Sequence, residues 1–228
     1  MNRIDQIYLE MPYYGVRRMT AQLKREGFVV NHKRISRLMH QMGIKAIYKK
    51  PNLSLNNYPH PIYPYLLKDL AIDHSNQVWG TDITYIKMEQ GFIYLVAFMD
   101  WYSRYVVSWS LSTTLTTNFV IKAAKEALTK ATPEIINSDQ GVQFTSKDYL
   151  NLWNPDTTQI SMDGRGRCMD NIFTERLWRS VKYDEVYLHN YNLVIDAKNG
   201  LAKYFDIYNN RRLHQSLNYH TPAEIYFN

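Results

Sequence analysis

Cysteine is almost missing from this chain. The single Cys168 excludes an internal disulfide framework and any zinc site built on several cysteines. Long apolar runs are missing too, and none approaches the roughly 18 residues that a membrane-spanning helix needs. The first residues, Met1-Asn-Arg-Ile-Asp-Gln6, lack the apolar centre of a secretory signal. Together these absences point to a cytoplasmic protein with no membrane partner.

What is present is positive charge, unevenly spread. Residues 1–60 carry 11 Lys and Arg against 3 Asp and Glu, whereas the remainder carries 16 against 18. A basic head on a near-neutral, acid-bearing body suggests nucleic acid held mainly by the head. The plainer reading is a solvated basic face. With 228 residues, the chain has room for one core of ordinary size and a small second domain.

Three acids stand in three different settings. Asp82 lies in a β-branched and aromatic run, Trp79-Gly-Thr-Asp-Ile-Thr-Tyr-Ile86. Asp139 follows the short apolar stretch Ile135-Ile-Asn-Ser138 and opens a turn. Glu175 lies in a helical pattern running from Asp170 to Lys182. Carboxylates brought together repel, and the pKa of at least one rises unless a cation sits between them. Carboxylate oxygens suit hard divalent ions such as Mg²⁺ or Mn²⁺, and two such ions can stabilise both oxygens of a phosphoryl displacement. A strand acid, a strand-end acid and a helix acid therefore read together as metal-dependent chemistry on a phosphodiester.

From about Asn76 onward the chain resembles the catalytic core of retroviral-integrase-type transposases, most closely the second-frame protein of the IS-three family of bacterial insertion sequences. Ser138-Asp-Gln-Gly-Val-Gln-Phe-Thr-Ser146, Ile160-Ser-Met-Asp-Gly-Arg-Gly-Arg167, Asp170-Asn171 with Glu175, and His214-Gln-Ser-Leu-Asn-Tyr-His-Thr-Pro-Ala-Glu224 carry the resemblance. It implies an α/β, RNase H-like fold: a mixed five-stranded sheet flanked by helices, behind a small helix-turn-helix-like head. It also implies a catalytic, metal-binding triad of Asp82, Asp139 and Glu175 holding two Mg²⁺ or Mn²⁺ ions. Further implications are element-end and target DNA as partners, a homo-multimer bridging two ends, and a bacterial protein at the nucleoid when DNA-bound. The head lacks the His/Cys zinc module of retroviral integrases.

Taken in order, helices are expected over Arg3–Glu10, Arg17–Glu26 and Lys33–Met42, with Asn31 as an N-cap and Gly27 and Gly43 as terminators. Residues 1–46 form the expected DNA-binding domain, with Arg17 and Arg18 in a Tyr-Gly-Val-Arg-Arg element and Lys33, Arg34 and Arg37 on the last helix. The alternative is a helical cap. Residues 47–70, with four prolines, read as a semi-rigid linker, and 71–228 as the core with its C-terminal helices. Strands are expected over Val78–Lys87, Phe92–Met99 and Tyr105–Leu111 as an antiparallel meander. A helix over Asn118–Lys130 then crosses to a parallel strand at Glu134–Ser138.

Asp100 is read as a turn cap or a partner of Arg104, with a fourth metal-site acid as the less favoured alternative. Gly141 is taken to permit an unusual turn, and Thr145 to cap a short helix reaching about Leu152. Gln140, Gln143 and Thr145 either approach the metals or satisfy local backbone. Residues 154–169 read as irregular, with Asp163–Arg167 a mobile loop whose Arg165 and Arg167 meet phosphates. Arg179 and Lys182, at i+4 and i+7 from Glu175, are further DNA contacts. A helix over 193–209 buries Val194, Ala197, Leu201, Tyr204 and Tyr208, Thr221-Pro-Ala-Glu224 is a capping box, and His214 is structural.

The reading is a DNA transposase that cleaves element ends and transfers strands. Two alternatives stay open: a metal nuclease of the same fold, and a non-enzymatic DNA-binding relic or regulator. The family often gains an upstream DNA-binding segment by frameshifting, so an upstream-frame partner or fusion is also expected.

Overall fold

The computed structural model describes residues 1–47, 63–89, 91–164, 171–189 and 191–228. The chain divides into two compact units, Met1–Tyr58 and Pro59–Asn228.

The first unit holds three helices, α1 (Asn2–Glu10), α2 (Val16–Arg25) and α3 (His32–Gln41). Ile4, Ile7, Met19, Leu23, Ile35 and Met39 close a small core. Each helix contributes two of these at i, i+3 or i+4 spacing, so a stripe from every helix faces the same centre. The Asn31 side chain accepts a hydrogen bond from the Arg34 N–H at 2.9 Å, satisfying one of the free donors at the start of α3.

The second unit is built on a five-stranded sheet of order β3-β2-β1-β4-β5. β1 (Val78–Lys87), β2 (Phe92–Asp100) and β3 (Val106–Ser112) form the antiparallel meander. The 12-residue helix α4 (Thr117–Leu128) then carries the chain to β4 (Ile135–Ser138), which pairs parallel with β1. The central part of β2 is buried on both faces, which is why it reads as a nearly continuous apolar run. Trp79, Val96 and Phe98 pack with α4 on one side. Val78, Leu95 and Ala97 pack with the later helices on the other.

Three expectations need correction. Residues 154–169 are not all irregular: β5 (Gln159–Met162) pairs parallel with β4 at the sheet edge. Four residues are too few for alternation to show, and the pairing partner lies about twenty residues back. The short helix α5 (Lys147–Leu150) is capped by Ser146, not Thr145, and stops two residues before the expected Leu152. The Thr145 hydroxyl instead donates to the Gly141 carbonyl at 3.2 Å.

After β5 come α6 (Ile172–Val181), a π-helical turn at Lys182–Val186, α7 (Tyr187–His189), α8 (Val194–Asn210) and α9 (Pro222–Tyr226). On α8, Ala197, Leu201, Tyr204 and Tyr208 are buried as their spacing predicts, but Val194 is exposed, lying in the first, half-free turn. At α9 the capping box forms in both directions: the Glu224 N–H donates to the Thr221 hydroxyl and the Glu224 carboxylate accepts from the Thr221 N–H. Of the expected linker, 47 and 63–70 are described, and there Leu67 is buried in the core of the second unit. Among the described residues no helix is long and apolar enough to cross a membrane.

Candidate active site

β1 presents Asp82 at mid-strand, opposite Ala97 of β2. Because β4 runs parallel beside β1, with Gly80 level with Asn137, the end of β4 delivers Asp139 to the same region. α6 crosses β1 closely at Gly80. A Cβ there would stand 2.1 Å from the Trp101 indole nitrogen and 2.7 Å from the Thr174 hydroxyl, so only glycine lets the helix approach. That approach seats Trp178 over the strand, where its indole N–H donates to Asp82 Oδ2 at 2.9 Å. Glu175, three residues earlier on α6, is exposed.

The Asp82 carboxyl is pushed up to about 6. Burial is the main cause, and the like charges of Asp139 and Glu175 add to it. Two donors work against the shift, the Trp178 indole and the Ile83 N–H at 2.7 Å. The Asp139 carboxyl is also raised by the protein packed around it, although its residue retains solvent contact. The Gly141 N–H, donating to Oδ1 at 2.9 Å, holds it back.

This contact also corrects the expectation for Gly141. Its φ is not in the left-handed region. Its missing side chain matters because a Cβ would lie 2.8 Å from Asp139 Oδ1. The glycine is there for the carboxylate's approach, not for an unusual turn.

The three acids thus come from three elements and are close enough for Asp82 to feel the other two. Among the described residues, however, no three His, Cys, Asp or Glu side chains gather tightly enough to hold a metal ion. The donor set still suits a hard divalent cation: all-oxygen, anionic, and with Asp82 under-compensated by its two donors.

Neighbouring polar residues serve the scaffold. Gln140 donates to the Asp163 carbonyl at 2.9 Å, and Gln143 to the Leu115 carbonyl at 3.1 Å. Asp163, expected in a mobile loop, is tied down: its carboxylate accepts from the Asn137 amide at 2.8 Å and its N–H donates to the Ser138 carbonyl. Asn137 in turn accepts from the Ser161 hydroxyl at 2.8 Å. Arg165 and Arg167 lie outside the described residues.

Asp100 is the expected turn cap. It accepts from both the N–H and the hydroxyl of Ser103 and from the Asn76 N–H. Arg104 is not its hydrogen-bonded partner: the guanidinium donates to the Trp101 carbonyl and lies 3.5 Å over the Phe173 ring. Arg179 is exposed one turn beyond Glu175, near the Tyr183 ring, and Lys182 begins the π-helical turn. In the first unit Arg17, Arg18, Lys33, Arg34 and Arg37 are all exposed. Trp178 is the site residue that sequence reasoning missed. At i+3 from Glu175 it falls among the apolar residues of α6, and nothing in its spacing separates an indole that bonds a carboxylate from one that only packs.

The integrase core domain family matches residues 73–168, a second integrase core domain description matches residues 156–222, and the HTH-like domain family matches residues 1–52. The putative transposase InsK for insertion sequence element IS150 of Escherichia coli (strain K12) is 32% identical over 97% of this chain and 81% of its own length. The transposase for insertion sequence element IS904 of Lactococcus lactis is 31% identical over 93% of this chain and 87% of its own. Among solved structures, the catalytic core domain of the HTLV-2 integrase in complex with magnesium superposes with a TM-score of 0.55 at 23% identity, covering 67% of this chain and 97% of that one. The simian T-cell lymphotropic virus intasome matches with a TM-score of 0.59 at 16% identity, over 99% of this chain and 74% of that one. Both structural likenesses establish the fold alone, which is RNase H-like.

Proposed function

This chain belongs to the IS3-type insertion-sequence transposases, and from that premise we propose that it cleaves phosphodiester bonds at element ends and joins the freed 3′ ends to target DNA. Asp82, Asp139 and Glu175 are assigned as the catalytic residues and as the ligands of two divalent ions, Mg²⁺ or Mn²⁺. Such ions, when bound, supply Lewis acidity to the attacking and leaving oxygens of the displacement.

The observation that carries this reading is the state of Asp82. A carboxyl on a central strand, raised to about 6 by burial and by two like charges, is a standing electrostatic deficit that a cation relieves. The chain's own residues prepare that state. Trp178 and the Ile83 N–H fix the orientation of the Asp82 carboxylate. The Gly141 N–H does the same for Asp139. α6 carries Glu175 and, one turn on, the exposed guanidinium of Arg179, suited to a neighbouring phosphate. The exposed cations of α2 and α3 hold duplex DNA in this reading, and Arg165 and Arg167 are assigned to DNA phosphates. The working unit is a homo-multimer bridging two ends, with an upstream-frame protein or fusion as a further partner.

The test is cleavage of a duplex carrying a candidate element end with Mn²⁺, comparing wild type with Glu175→Gln. Wild type should cleave, and the variant should lose on the order of 10²–10³-fold in rate, the scale for removing one electrostatic stabiliser. Wild-type cleavage with an unimpaired variant would sink the triad. One observation favours the second reading, a DNA-binding relic: the acids are not gathered within metal-holding distance. DNA binding without cleavage in either protein would establish it.

A further inference from the structure

α6 has a second functional flank. Phe173, Arg176, Leu177 and Ser180 line a cavity of about 310 Å³ that Glu175 and Arg179 do not touch. Its other walls are Arg104 from the β2–β3 turn, Tyr208 from α8, and His214, Gln215 and Ser216 from the C-terminal tail. Arg104 is set in place: its backbone is left-handed at φ 65°, its guanidinium donates to the Trp101 carbonyl, and its plane lies over Phe173. It is therefore already ordered before any ligand arrives.

Neither Arg104 nor Arg176 forms an ion pair with a described carboxylate. The nearby acids are engaged elsewhere. Asp100 accepts from Asn76 and Ser103, and Asp184 pairs with Arg212 at 3.3 Å. The surplus positive field is felt at two groups. His214 is pushed below its ordinary pKa by burial and then by Arg212, Arg104 and Arg176. Arg104 is lowered to about 10 by burial; the charges of Tyr208 and Asp100 act against that shift, and Arg176 adds a smaller push downward. Arg104 is half-buried and Arg176 exposed at the rim, so an anion in the hollow would meet one ordered and one solvent-facing guanidinium.

The shape says which kind of anion. A second cavity of about 680 Å³ shares Arg104, Phe173 and Ser216 with the first, and Leu70, Ile72, Trp101, Tyr102 and Ile225 give it an apolar wall. A bare ion has no use for that wall, whereas the sugar and base of a nucleotide do.

We propose that this paired hollow holds a backbone phosphate of a DNA strand, gripped by Arg104 and Arg176, with the adjoining nucleoside against the apolar wall. The proposal rests on the DNA-handling reading above, but it concerns a site separate from the three acids.

The test uses the full chain in EDTA, without divalent metal, so that the acids' metal chemistry plays no part. Affinity for a duplex of arbitrary sequence is measured from 0.05 to 0.2 M NaCl. For Arg176→Gln the slope of log affinity against log salt should be shallower by about 0.9, the value of one B-DNA phosphate contact. Ser216→Glu, which sets a negative charge in the hollow from a different element, should weaken binding about tenfold or more at 0.1 M. Lys125→Gln, exposed on α4 across the sheet from the hollow, should keep the wild-type slope.

A second measurement follows the His214 ring resonance, identified with His214→Gln, as inorganic phosphate replaces chloride at constant ionic strength. It should move in wild type and stay still in Arg176→Gln. Unchanged slope and affinity in folded Arg176→Gln and Ser216→Glu would overturn the proposal. A phosphate response without a slope change would overturn it too, assigning the hollow to small free anions. Failure of the cleavage reading would show in the Mn²⁺ assay and leave the metal-free slope untouched, so the two failures are distinguishable.

Discussion

Asp82 and Asp100 lie on neighbouring strands of one sheet, and burial raises both carboxyls above their ordinary range. Their surroundings are opposite. Asp100 is fully buried and faces three donors, two of them from Ser103 just around the turn and one from the Asn76 N–H. Asp82 has two donors and faces two like charges. The first carboxylate completes its neighbours' hydrogen bonding and closes the β2–β3 turn. The second is left under-compensated where a ligand can reach it. A buried acid that stabilises the fold and one that awaits a partner are separated by how fully their lone pairs are used, not by depth.

The sharpest way to break this contrast is to neutralise each acid in turn. Asp82→Asn should lose cleavage by about 10²–10³-fold, while its unfolding free energy stays level or rises by about 1 kcal/mol as the repulsion disappears. Asp100→Asn should do the reverse. Its amide NH₂ would face N–H donors, leaving buried groups unpaired, and denaturant unfolding should show a loss of about 2–4 kcal/mol. If both variants lose stability equally, the distinction fails.

Gly80→Ala probes how α6 reaches Asp82. The methyl collides with Trp101 and Thr174, so about 1–3 kcal/mol should be lost along with activity, as the helix is forced off the strand.

Trp178→Phe is gentler on packing. It removes the donor that lowers the Asp82 pKa, so the acid limb of the cleavage profile should move to higher pH, with about tenfold lower activity at neutral pH. An unmoved limb would mean that the indole only packs.

The smallest effect is in wild type itself. A raised carboxyl favours the protonated form in the fold, so the stability that protonation of Asp82 adds is complete below about pH 4 and lost as pH rises through about 6. Cleavage should change the other way, falling as pH drops below about 6. Parallel pH curves for activity and stability would contradict the assignment.

Much of the fold was legible because its signals are local. The Asn31 cap, the Thr221–Glu224 box and the amphipathic spacing of α4 and α8 each depend on residues within a few positions of one another. The antiparallel meander follows from two tight connections. β5 was not legible, since four residues carry no period and its order comes from pairing with β4. Ser146 outcompeted Thr145 as the cap because Thr145 is buried and bonded back to Gly141, a fact of packing rather than of propensity.

The sequence alone therefore determined most of the helices and the antiparallel meander, which acids are candidates and how the charge is divided between head and body, because helix caps, strand alternation and composition act over short separations. Tertiary structure alone decided what those acids became. Gly80 admits α6 to the sheet, Trp178 reaches Asp82 across 96 positions, Gly141 makes room for Asp139, and Arg104 and Arg176 meet in one hollow with the tail. Each of these depends on which side chain lies close to which after folding. Burial and charge act through space, so the same aspartate can be a completed cap on one strand and an under-compensated carboxylate on the next.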